Sequence, residues 1–127
     1  MKPQIAIVLL LASVVTAHGE SLPTTARAEV TAVLARLEVS GCQFNRNGTW
    51  HSGAEAKSHL QSKLEYLEQK AAPKSAEEFI DLAATRSSIS GSAYQVKCGG
   101  EPSVPSAAWL MFQLQEVRRT GAKAAGK

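Results

Sequence analysis

The chain contains two cysteines, Cys42 and Cys98, and no others; that pair constrains the fold more than any other feature. Joined, they close a loop of about 57 residues and stabilise the fold by about 4 kcal/mol on a chain-entropy argument, usually less in practice. Outside the cytosol a lone pair of cysteines most often forms a bridge. The rival reading is a redox-active or metal-binding pair, but there is no Cys-x-x-Cys spacing and no adjacent histidine. A structural disulfide is expected.

The N-terminus bears on whether the two thiols reach an oxidising space. Lys2 gives a short positive region, and residues 5–15 form an apolar run broken only by Ser13. Val15-Thr16-Ala17 supplies small residues where a signal peptidase reads, so cleavage is expected after Ala17, with a poorer second site after Gly19. The run is too short to span a hydrocarbon core that needs about 20 residues, so residues 1–17 read as a signal peptide and not as an uncleaved anchor. No cysteine follows the cleavage site to mark a lipoprotein, and no later stretch is apolar enough to span a bilayer. A periplasmic address is expected.

Residues 18–127 suffice for one domain and not comfortably for two. The formal net charge of +3 suggests an anion binder, but it is unevenly placed. Arg118, Arg119, Lys123 and Lys127 lie in the last ten residues, which contain no acid, whereas residues 18–117 hold 9 basic and 11 acidic residues. The division is therefore a domain over 18–118 and a basic, solvated tail over 119–127. With no basic face or RNA-binding motif on the domain, nucleic acid is not expected as a partner.

Thr24 or Thr25 is placed to cap a first helix reaching Val39, with Val30, Val33, Leu34 and Leu37 on one stripe and Gly41 past its end. Asn47-Gly48 between two short extended runs is a strong hairpin signal. A two-residue turn pairs Arg46 with Thr49 and Phe44 with His51. Cys42, Phe44, Arg46 and His51 then share one face, and Asn45 and Trp50 the other. Either both faces are partly covered or a bulge resets the register; the residues allow both. Ser52 with Glu55 forms a capping box opening a helix to about Lys70, with Ala56, Leu60, Leu64 and Leu67 inward. Pro73 excludes continuation. Ser75 with Glu78 is a second box, starting a helix that ends near Arg86 and turns Phe79, Ile80 and Ala83 inward. A hydroxyl-rich loop follows over 87–92. Tyr94, Val96 and Cys98 alternate with Gln95 and Lys97 as a strand. Residues 99–105 read as a linker, and Ser106 as the cap of a last helix bearing Trp109, Leu110, Phe112, Leu114 and Val117. The class is α+β: a three-stranded sheet, hairpin plus one strand, packed with about four helices. The bridge would tie the first strand to the third.

The runs Phe44-x-Arg46-Asn47-Gly48, Glu55-Ala56-x-x-His59-Leu60-x-x-Lys63-Leu64, Ala76-Glu77-x-Phe79-Ile80 and Ser87-Ser88-Ile89-Ser90-Gly91-x-x-Tyr94 resemble the YfeK-type small periplasmic proteins, a bacterial family whose domain has no assigned function. The resemblance covers about 50 residues. It implies a periplasmic address and a similar fold, and no activity. Neither cysteine belongs to the pattern.

The polar residues of interest are Arg46, His59, Lys63, Arg86, Ser87, Ser88 and Ser90. His59 and Lys63 lie four apart on one helix, at the edge of its apolar stripe. Beside the serine-rich loop they could form a pocket for a small anion, with hydroxyls and loop amides donating hydrogen bonds and Arg46 or Lys63 supplying charge. The simpler reading has His59 bonded to a backbone carbonyl, Lys63 laid along the core and the serines satisfying loop backbone. A hydrolase using His59 with a loop serine lacks a Gly-x-Ser-x-Gly or Ser-x-x-Lys motif and a paired acid. Glu77, Glu78 and Asp81 most simply serve the N-terminal dipole of their helix. Cleavage after Ala17 would expose His18 as a first residue of the histidine-brace kind, which chelates copper. A further histidine, His51 or His59, would have to come close, and a flexible terminus explains His18 more simply. No metal or cofactor is expected. The resulting expectation is a monomeric, non-enzymatic binding module for an envelope protein or a small anionic ligand, the alternative being a small envelope hydrolase.

Overall fold

In the computed structural model, which describes residues 3–4 and 21–125, the Asn47-Gly48 turn sets the register of the sheet. Both residues take positive φ, 54° and 83°, the conformation a two-residue type I′ turn demands of its central pair. Strands β1 (Gln43–Arg46) and β2 (Thr49–His51) pair as Phe44 with His51, Asn45 with Trp50 and Arg46 with Thr49. No bulge resets the register. Trp50 stands on the outer face, 38% exposed, while Phe44 is buried.

Strand β3 (Gln95–Lys97) lies antiparallel on the other side of β1, matching Gln43 with Lys97 and Phe44 with Val96. Cys42 and Cys98 are the next opposed positions along those strands. Their Cα atoms are 4.2 Å apart and they are joined as a disulfide. The expected three-stranded sheet is corrected to four: Val104–Pro105 forms β4, paired with β3, in the order β2-β1-β3-β4. Pro105 donates no N–H, which an edge strand tolerates.

Helices α1 (Thr24–Val39), α2 (Gly53–Lys70), α3 (Ala76–Ala83) and α4 (Ser106–Ala125) complete the domain. Helix α1 packs against the other three, while α2 touches β1 and α4 touches β3 and β4. The core gathers Leu37, Phe44, Leu60, Phe79, Val96, Leu110 and Leu114 between helices and sheet. Gln43, Gln95 and Lys97 face outward from the sheet. The Ser52–Glu55 capping box forms in full. Just inside it, Gly53 lies against the Leu37 carbonyl so closely that a Cβ would collide with it; only glycine lets α2 approach α1 there.

Four local expectations are corrected. Neither Thr24 nor Thr25 caps α1, whose cap residue is Pro23 with no side-chain bond. Ser106 is the first residue of α4 instead of its cap; its N–H donates to the Tyr94 carbonyl and its buried hydroxyl has no partner among the described residues. Helix α3 stops at Ala83, before Arg86, because Arg86 bridges to Ala93 and the Tyr94 N–H donates to the Thr85 carbonyl. Helix α4 runs on to Ala125, past Val117 and through most of the stretch read as a tail. The stretch expected to be a signal peptide, apart from Pro3 and Gln4, lies outside the described residues, as do both expected cleavage positions, His18 and residues 126–127.

Candidate functional site

The alternation that buries Phe44 also turns Arg46, two residues on, toward α2. There it meets His59 and Lys63, which α2 presents one above the other. Tyr94, just before β3, comes between them: its ring packs on Phe44 with centroids 5.1 Å apart, and its hydroxyl reaches α2. The fourth side is the 87–92 loop. The Ser87 hydroxyl accepts from the N–H groups of Ile89 and Ser90, each at 3.2 Å, and Ser90 donates to Asn47 Oδ1 at the hairpin tip. These parts enclose a cleft of about 360 Å³.

The hydrogen bonds within the cleft fix where the protons are. Arg46 Nη1 lies 3.1 Å from His59 Nδ1. A guanidinium only donates, so Nδ1 accepts and the neutral imidazole carries its proton on Nε2. That nitrogen donates to the Tyr94 hydroxyl oxygen at 3.2 Å. Lys63 Nζ also donates to that oxygen, at 3.3 Å, and to the Arg86 carbonyl at 3.2 Å, sitting 5.0 Å from the Tyr94 ring centroid. Both lone pairs of the Tyr94 oxygen are thus occupied, and its own O–H has no acceptor among the described residues.

Electrostatics follow the same arrangement. Burial, then the charges of Arg46, Lys63 and His51, lower the His59 pKa from 6.5 to about 4. Lys63 is lowered from its ordinary value by burial and by Arg46. The Tyr94 hydroxyl is raised by burial, so it keeps its proton near neutral pH. Glu55 shares a neighbouring cleft with Arg46 and His59, but it is bonded to His51 and to the Ser52 cap. The site is therefore cationic, rich in donors and without a carboxylate of its own.

Of the residues singled out in the sequence, Arg46, His59, Lys63, Ser87 and Ser88 line this cleft together. Ser90 does not; its hydroxyl holds the loop to Asn47 and accepts from the Ser92 N–H. His59 is bonded to two side chains and to no backbone carbonyl. Tyr94, Tyr66 and Ile89 line the cleft without having been singled out. The signal for Tyr94 was its hydroxyl on an otherwise apolar strand face, which needs a partner once buried. Among the described residues no cluster of three His, Cys, Asp or Glu side chains could hold a metal ion, and no helix is long and apolar enough to cross a membrane.

A family of unknown function, DUF5329, matches residues 24–118. No curated protein and no solved structure matches. The chain belongs to the DUF5329 family.

Proposed function

We propose that this member of a family without an assigned activity is a binding module, and that its cleft takes a small anion. One observation carries the reading. Among the described residues, the Lys and Arg side chains that are half-buried are Arg46, Lys57, Lys63 and Arg118. Lys57 pairs with Glu38 at 2.6 Å, and Arg118 with Glu29 and Glu77. Among the described residues no carboxylate lies within 4.0 Å of Arg46 or Lys63. Partly desolvated cations that share a cleft raise each other's energy unless an anion joins them. The Tyr94 hydroxyl adds a neutral donor beside them.

Binding is favoured over hydrolysis because His59 has no lone pair left for a serine: Nδ1 accepts from Arg46, and Nε2 carries a proton. An imidazole whose pKa is held at about 4 is also a weak base at neutral pH. Calorimetry with inorganic phosphate at low ionic strength tests the reading. Phosphate should bind the wild-type chain, and Arg46→Met with Lys63→Met together should weaken it by about 100-fold, the worth of two charge-assisted contacts. No binding to the wild type, or unchanged binding to a folded double variant, would reject it.

The proposed location is the periplasm. The N-terminal pattern, the resemblance to the YfeK-type proteins and the cross-strand disulfide support it. N-terminal sequencing of protein released by osmotic shock should begin at His18; an intact Met1 would contradict export.

A further inference from the structure

We propose that the anion this cleft takes carries an apolar body: one carboxylate or phosphate head joined to an aryl or alkyl group. This rests on the anion-binding reading and specifies its ligand class.

The donors gather around one point. Arg46, Lys63 and the Tyr94 hydroxyl lie within a chain of contacts no longer than 3.3 Å, all linked through His59 or Tyr94. The remaining wall of the cleft is mostly carbon. A bare tetrahedral anion would occupy a small part of a cleft of about 360 Å³, a volume already in the range of small-molecule pockets.

Two apolar side chains stand at the same cleft, open to water. Tyr66 on α2 is 61% exposed, and Ile89 in the 87–92 loop is 95% exposed. The exposure of Ile89 is built in. Its N–H is bonded to the Ser87 hydroxyl, Gly91 N–H bonds the Ser87 carbonyl, and Ser90 ties the loop to Asn47. The loop thus presents Ile89 on a hydrogen-bonded frame and does not fold it into the core. Single exposed apolar residues are ordinary, but two beside a cationic pocket supply the surface an amphipathic anion would cover. Covering both recovers transfer free energy that a head alone cannot.

The test compares head-matched pairs by calorimetry at pH 7 and low salt: inorganic phosphate with phenyl phosphate, and acetate with phenylacetate. The aryl member of each pair should bind the wild-type chain at least about tenfold more tightly. In a Tyr66→Ala, Ile89→Ser variant that gap should shrink to within about twofold. Both residues are exposed, so the variant should fold as the wild type does. Equal affinities within each pair, or an aryl preference that survives in the variant, would overturn the proposal while leaving the anion reading in place. If neither phosphate nor phenyl phosphate binds, the anion reading falls and takes this inference with it.

Discussion

Arg118 and Arg46 are both half-buried, and their surroundings could hardly differ more. Arg118 reaches from α4 to Glu29 on α1 through Nε at 2.6 Å and to Glu77 on α3 through Nη2 at 2.6 Å. Further contacts of 3.2 Å to each carboxylate complete two forked pairs. Three helices are clasped around one guanidinium, and Arg118 holds Glu77 below the usual carboxylate range. Arg46 instead meets a neutral imidazole, with a second cation on the same cleft wall. One arginine completes the fold. The other carries a charge that no carboxylate among the described residues pairs with.

The difference can be broken from either end. Removing Arg118 by Arg118→Met strips two carboxylates of their partner and should cost about 1–2 kcal/mol of stability, the sum of two partly exposed forked pairs, with phosphate binding untouched. Removing Lys63 by Lys63→Met should leave stability within about 0.5 kcal/mol of wild type, because relief of charge crowding against Arg46 offsets the lost bonds to Arg86 and Tyr94; its cost should appear in phosphate affinity. Urea unfolding of the two variants measures the contrast. Equal losses would mean the cleft cations are structural after all.

The contrast also bears on what the sequence makes legible. Local chemistry was readable: Asn47-Gly48 marked the hairpin turn, though not whether a bulge resets its register, Ser52 with Glu55 marked the start of α2, and the helical spacing of His59 and Lys63 put them on one face. Residues that act across the fold were not. Arg118 reads as no more than the first of the basic residues at the C-terminal end of the domain, and Glu77 as a helix-dipole acid, because nothing local shows that α1, α3 and α4 meet there. Tyr94 reads as strand core, because alternation reports which way a side chain points and not what its far end touches. Strand β4 is two residues long and ends in proline, so it carries no periodic signal. Ser106 has the letter of a cap, but it lies inside the first turn of α4 with its N–H on the Tyr94 carbonyl, one position past where a cap would sit.

The two regions also lose their hold at different pH. Glu77 has a lowered pKa, so its contribution is present above its ordinary value of 4.5 and lost as pH falls further. His59 is lowered from 6.5 to about 4. The folded state therefore binds fewer protons than the unfolded chain between those values, and the stability this confers, full above 6.5, drains away as pH falls through that window. An anion beside Arg46 and Lys63 would favour the imidazolium and lift the His59 midpoint. The most direct measurement is an NMR titration of the His59 ring with and without saturating phenyl phosphate. The expected result is a midpoint of about 4 alone, moved upward by the ligand. A midpoint near 6.5 in the unliganded protein, or one that the ligand does not move, would contradict the claim that this cleft holds cations awaiting an anion.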